Sequence, residues 1–252
     1  MIKDILKGSV KHIASRFGYE IVRTEWMQDR VFANHLGALF AKLDVECVLD
    51  VGANRGQYRK FLRDAVGYDG WIVSFEPLQS NVHFLNLSAK SDSRWVIHGF
   101  ALGGQNTHMD INVMKSDNFS SFLDPDNSVV DQFGKENVID RKEHVEIRRL
   151  DSVLPGLRAK YPMRNVYLKM DTQGFDLEVV EGAGDDLANI CALQTELSVR
   201  KIYDGMPDYQ RVLRTLQHKG FDITGMFPVS SDSALRVIEF DCIMMNGLLL
   251  GK

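Results

Sequence analysis

From about residue 29 onward, apolar positions alternate between short runs of strand character and longer segments with helical spacing. Val48, Leu49 and Val51 make the first β-forming run. Gly52 and Gly56 follow and permit a turn with close backbone approach, and helical spacing resumes from Gln57 with Tyr58, Phe61, Leu62 and Ala65 on one face. Turn residues at 67–70 precede a second strand, 71–75, tipped by Glu76 and Pro77. A helix is predicted over 80–89, a third strand and loop over 95–103, and alternating strands over 109–113 and 144–150. Residues 123–143 are charged and weakly patterned, as in a loop, a short helix or a lid. Asp151 is placed to cap a following helix. Later come a strand at 165–170, a helix at 175–182, a strand at 191–197 and an amphipathic helix at 208–219 stopped by Gly220. Two closing strands, 221–227 and 235–245, read as an antiparallel hairpin added to a mostly parallel α/β sheet.

The first 43 residues stand apart as an N-terminal helical cap, leaving 44–252 as the main domain. Ile2, Ile5, Leu6, Val10, Ile13 and Phe17 recur at helical spacing, opposite Lys3, Lys7, Lys11 and Arg16. Such a basic amphipathic helix can pack on its own domain, on a second subunit of a homo-oligomer, or peripherally on a membrane. A second helix, 29–43, carries Val31, Phe32, Leu36, Leu39 and Phe40 on its apolar side.

Composition changes this picture little. The 252 residues are 44% hydrophobic and 25% charged, an ordinary globular mix, and the net charge of −4 does not point to nucleic acid. Cys47, Cys191 and Cys242 sit in apolar runs without metal or disulfide spacing, and are expected to be reduced core residues. No continuous apolar stretch marks a signal peptide or a span, so the expected setting is cytoplasmic.

The candidate chemistry centres on the Gly52–Gly56 turn. A helix N-terminus beside such a turn offers free N–H groups to a ligand. A dinucleotide site wants G-x-G-x-x-G, but Asn54 stands at the middle glycine and the third is missing, which argues against an NAD-linked oxidoreductase. S-adenosylmethionine fits better, because it has no pyrophosphate. Asp50 and backbone N–H groups can bind its ammonium and carboxylate. Glu76, 20 residues past Gly56, can take the ribose hydroxyls. Gly52, Ala53, Asn54, Gly56, Pro77 and Ala101 complete the expected cofactor wall, and Asn81 either reaches the ligand or helps cap its helix.

Three segments carry a specific resemblance: 48–56, then 75–77, then 168–174 followed by 178–182. In this order they resemble the signatures of the FkbM family of methyltransferases, over roughly residues 43–245. The resemblance implies a class I, Rossmann-like methyltransferase fold and S-adenosylmethionine-dependent transfer to an oxygen. The usual acceptor is a hydroxyl of a sugar, glycan or polyketide-like small molecule. The family often carries an acid where Gln173 stands here, and that departure weakens a two-acid metal site.

A sugar hydroxyl needs a general base or a metal. Asp171 is the leading base and also borders the cofactor. Lys169 can pair with it, stabilise an alkoxide, or simply be solvated; Glu196 can be a base, a metal ligand or an ion-pair partner. Magnesium on Asp171 and Glu196 is conceivable but not favoured, for want of a ligand cluster. His144 is a weaker base candidate, His98 reads as a solvated or core residue, and Tyr203, Met206 and Tyr209 can line an acceptor pocket or pack as a loop. The rival readings are a catalytically silent cofactor-binding interaction module and, less favoured, the NAD-linked oxidoreductase.

Overall fold

The first strand, β1 (Cys47–Val51), is buried at each of its five positions and lies inside a seven-stranded sheet. In this computed structural model, which describes residues 16–17 and 27–249, β1 pairs in parallel with β2 (Trp71–Phe75) on one side and β7 (Val166–Met170) on the other. Next to β2 lies β3 (Trp95–His98), and next to β7 lies β8 (Ile190–Ser198), both parallel. Beyond β8 come β10 (Val237–Asn246) and then β9 (Phe221–Ser231), both pairings antiparallel. The order β3-β2-β1-β7-β8-β10-β9 is the expected mostly parallel Rossmann-like sheet closed by an antiparallel hairpin.

Side chains along β1 alternate between two cores, as the period of two requires. Val48 faces α1 (Met27–Leu43), α2 (Gln57–Phe61, continued by a π turn to Val66) and α3 (Gln79–Ala89). There Phe40 meets Tyr68 and Tyr167 edge-on, with ring centroids 5.1 and 4.8 Å apart. Burial of Leu36, Leu39 and Phe40 fixes α1 to the sheet, at about 1.5–3 kcal/mol for each such side chain. Leu49 and Val51 face the other core, with α4 (Leu150–Arg158), α5 (Asp176–Ala183) and α6 (Tyr209–His218). Asp50 and Lys169 share the parity of Val48 and Tyr167, so both charges sit on the α1–α2 side.

A second, three-stranded sheet of β4 (Ala101–Leu102), β6 (Ile139–Arg148) and β5 (Thr107–Met114) is inserted after β3. Two local expectations change. The 123–143 stretch holds a 3-10 turn at Asp131–Phe133, and from Ile139 it already belongs to β6. Asp151 does not cap α4; Arg149 is the N-cap residue, without a side-chain cap bond, and Asp151 pairs with its guanidinium. Helix α6 is capped by Asp208, which accepts from the Arg211 amide at 2.8 Å. All three cysteines are buried and unpaired. Among the described residues no helix is long and apolar enough to cross a membrane. The basic segment at residues 2–16 lies outside the described residues apart from Arg16.

Candidate active site

Because β1 has β2 on one side and β7 on the other, the connections diverge at its carboxyl end and leave a crevice there. That crevice is a cavity of about 1070 Å³, walled by the Gly52–Asn54 turn, the tips of β2, β7 and β8, residues 117–122 of the insertion, and side chains from α1, β9 and β10.

At one end the turn is pinned to β2. The amides of Gly52 and Ala53 donate to the Phe75 carbonyl at 3.1 and 3.2 Å, and the Asn54 amide donates to Glu76 Oε2 at 2.8 Å. Glycine is required at 52, where φ is +77 and a Cβ would lie 2.0 Å from the Asp171 carbonyl oxygen. Gly56 is held in the same left-handed region, at φ +81, and a Cβ there would meet the Trp95 ring at 2.8 Å. The turn offers fewer free N–H groups than expected. Asn54 is taken by Glu76, Arg55 donates to Gln57 Oε1 at 2.9 Å and Gly56 to the Ala53 carbonyl at 2.8 Å.

Glu76 is 4% exposed and lines the cavity. Its Oε1 accepts from the Leu78 amide at 3.0 Å. Burial pushes its carboxyl up to about 7, against the opposing bonds from Leu78, Asn54 and Asn81. Each oxygen keeps acceptor capacity for a further hydroxyl donor.

Asp50 corrects an expectation. It is fully buried and lies off the cavity wall. Ser74 Oγ donates to its Oδ2 at 2.9 Å, Trp95 Nε1 donates to Ser74 Oγ at 3.0 Å, and Lys169 Nζ stands 3.1 Å from its Oδ1. Its charge is spent on Lys169, so it supports the wall without touching a ligand in the cavity. Gly56 and Asn81 also lie off the wall; Asn81 is buried beside Glu76 and does not cap α3, whose N-cap is Leu78. Gly52, Ala53, Asn54, Glu76, Pro77, Ala101 and Asp171 do line it.

At the other end, Lys169, Asp171 and Glu196 come together in the wall. Burial works against the Lys169 charge, but Asp50 and then Asp171 outweigh it and hold the ammonium above the ordinary lysine range. Lys169 Nζ lies 3.4 Å from Asp171 Oδ2 and 5.2 Å above the Tyr58 ring. Glu196 is pushed well above the usual carboxylate range by burial and then by Asp171, Glu239 and Asp241. Gln173 reaches between Asp171 and Glu196, its Nε2 donating to each at 3.0 Å.

Two acids of this end escape a linear reading. Glu239 and Asp241 lie on β10, where Asp241 stands opposite Glu196 in register. Burial raises Glu239 to about 7 and Asp241 to about 6. The signal for them was two acids spaced by two inside an apolar strand. Gln194 ties Asp241 to the sheet, donating to its Oδ1 at 2.8 Å and accepting from Tyr58 Oη at 2.8 Å, while Glu239 Oε2 accepts from Ser230 Oγ at 2.9 Å. Among the described residues no group of histidine, cysteine, aspartate or glutamate side chains is arranged to hold a metal ion.

Other candidates fall elsewhere. His144 is exposed on β6 and paired with Asp110 at 2.8 Å, and His98 packs on Phe75 with ring centroids 5.4 Å apart. Tyr203, Met206 and Tyr209 do not line the cavity; Tyr203 is 1% exposed and its hydroxyl reaches Gln173 Oε1 at 2.7 Å.

The Methyltransferase FkbM domain matches residues 50–223. A search of curated proteins finds no match. Among solved structures, the chain is similar to methyltransferase FkbM from Methylobacillus flagellatus (15% identity, TM-score 0.48), covering 79% of this chain and 44% of that one. It is also similar to Aeropyrum pernix fibrillarin with natively bound S-adenosyl-L-methionine (11%, TM-score 0.44), covering 79% and 66%. A third is magnesium protoporphyrin IX methyltransferase from Synechocystis with bound S-adenosylmethionine (10%, TM-score 0.45), covering 91% and 87%. The chain thus spans less than half the length of the Methylobacillus protein. With the Gly52 turn, Glu76, Asp171 and Glu196 all inside the matched segment, and that segment more than half of its length, the chain belongs to the FkbM methyltransferase family.

Proposed function

We propose that this methyltransferase moves a methyl group from S-adenosylmethionine to an oxygen, a hydroxyl of a sugar, glycan or polyketide-like small molecule. The observation that carries the reading is one cavity holding both a hydroxyl-accepting carboxylate, Glu76, and a second group of acids at the tips of β7 and β8. Bound S-adenosylmethionine supplies a methyl group already activated on a sulfonium, so the protein's task is alignment and deprotonation.

Glu76 receives the ribose hydroxyls on the acceptor capacity left free by Asn54 and Leu78. Gly52, Ala53 and Asn54 shape the methionine side, with Asp50 bracing Lys169 from behind. Asp171 takes the proton of the acceptor hydroxyl as the oxygen forms its bond to the methyl carbon and the carbon–sulfur bond breaks. Lys169, 3.4 Å from Asp171, offsets negative charge developing there. Glu196 orients the acceptor.

Asp171→Asn is expected to retain calorimetric binding of S-adenosylhomocysteine while losing methyl transfer from labelled S-adenosylmethionine to a panel of glycan and polyketide alcohols. Turnover that survives this substitution removes Asp171 as the base. Binding without turnover on any alcohol by the wild-type protein favours the silent module, and binding of NADH in place of S-adenosylhomocysteine favours the oxidoreductase.

A further inference from the structure

Residue 173 stands in a backbone conformation that residues with a side chain rarely adopt, φ +53, and Gly174 follows at φ +91. This left-handed pair reverses the chain just past Asp171 and returns the Gln173 side chain into the cavity wall. Strain of this kind persists only where the surroundings over-determine it. Here three separate segments do so. Ser121 Oγ, from the insertion, donates to the Gln173 carbonyl at 2.7 Å. Tyr203, beyond β8, presents its hydroxyl to Gln173 Oε1 at 2.7 Å. Asp176 accepts from the Thr172 amide at 3.0 Å and from the Thr195 hydroxyl at 2.6 Å, bracing the turn from below.

With Oε1 engaged by Tyr203, Nε2 points at the acids, 3.0 Å from Asp171 Oδ1 and 3.0 Å from Glu196 Oε2. An amide nitrogen carries two protons, one for each carboxylate. We propose that Gln173 is a positioning residue that bridges Asp171 and Glu196, easing a repulsion between the two facing carboxyl groups that a cation would otherwise have to offset. The proposal rests on the reading that these two acids work on the acceptor.

The reason is electrostatic. Two carboxylates within reach of one atom repel unless something positive lies between them. The partial charge of two N–H donors supplies that without a metal, and it fixes the two oxygens relative to each other. Lys169 cannot do the same for Glu196, because its ammonium is committed to Asp50 and Asp171. The remaining groups facing the pair are acids: Glu239 and Asp241 from β10 and Asp176 from α5. A glutamate at 173 would put a third carboxylate between the two, close to an oxygen of each, and a cluster of that charge calls for a hard cation such as magnesium.

Two variants of the full-length protein test the bridge. Gln173→Met keeps the length of the side chain and removes both donors; Gln173→Glu replaces them with negative charge. Carboxyl groups are followed by carbon-detected NMR titration of glutamate- and aspartate-labelled protein, with Glu196→Gln assigning the signal, and melting temperature is followed against added magnesium chloride. The Glu196 signal is expected to titrate at higher pH in both variants than in the wild type. Magnesium is expected to raise the melting temperature of Gln173→Glu and leave the wild type unmoved. Gln173→Glu that folds only in magnesium or at acid pH supports the bridge equally. A Glu196 titration unmoved in Gln173→Met, with only a lowered melting temperature, overturns it, as does the same magnesium response in wild type and Gln173→Glu. The titration is read without ligand, so failure of the wild-type protein to bind S-adenosylhomocysteine counts against methyl transfer and not against the bridge.

Discussion

Glu76 offers the sharpest quantitative test of the cofactor pocket. In the ligand-free protein its carboxyl stands at about 7 against an ordinary 4.5. Ionising it in place therefore costs roughly 3 kcal/mol more than in water. Two hydroxyl donors to a carboxylate contribute about 1.5–3 kcal/mol each, so a ribose diol can offset that cost only by binding the ionised form. Affinity for S-adenosylhomocysteine should then climb up to about tenfold per pH unit as pH rises toward 7, and level off above it. Glu76→Gln leaves one acceptor oxygen and turns an NH2 group toward the Asn54 or Leu78 amide. A loss of about 2–3 kcal/mol, roughly 30- to 150-fold, is expected above pH 7. Calorimetry across this range, in two buffers of different ionisation enthalpy, reads both the affinity and the proton released on binding. Glu239 and Asp241 titrate in the same cavity, at about 7 and about 6, but they do so in both proteins. The wild-type to variant ratio therefore isolates Glu76. A ratio that does not change with pH, or a variant that binds as tightly as the wild type, would refute the reasoning.

Other expectations follow from neighbouring features. Lys169→Met strands the Asp50 carboxylate in the core and should cost about 3–5 kcal/mol in urea unfolding, and adding Asp50→Asn should recover most of it. An unrecovered double variant would mean that the pair is not the reason for the loss. Gly52→Ala brings a Cβ to 2.0 Å from the Asp171 carbonyl, so it should lower the melting temperature and abolish S-adenosylhomocysteine binding together; tight binding in that variant would reject the turn as the cofactor wall. In the ligand-free protein Glu76, Glu239 and Asp241 all titrate higher than in the unfolded chain. The native state thus holds extra protons between their unfolded and folded values, and their contribution is present at acid pH and lost as pH rises through 6 to 7. Unfolding free energy should be larger near about pH 5.5 than at about pH 8, by an amount that shrinks in Glu76→Gln; a flat profile would contradict the burial argument.

Local pattern determined much of this protein. Apolar runs, helical spacing and glycine turns were enough for the alternating strands and helices, the closing hairpin and the line of β1 into the Gly52 turn, because each depends on residues only a few positions apart. The same is true of Glu76 and of the Lys169–Asp171 strand tip, which stand in the cavity wall where strand ends and their spacing put them. Register and burial decided the rest. Asp50 had the right local position for a ligand contact, but the side-by-side pairing of β1 with β7 set Lys169 against it and closed it off. Asp151 had the right residue type for a cap, yet the chain enters α4 two residues earlier, with Arg149 at the N-cap and Asp151 already in the first turn. Glu239 and Asp241 reach the site only because β10 runs antiparallel beside β8, and Gln173 becomes a bridge only because Tyr203, from a distant loop, turns its amide toward the acids. Residue type and short-range spacing dictate which groups a chain can offer; which of them meet, and at what cost in desolvation, is set by contacts between segments far apart in sequence.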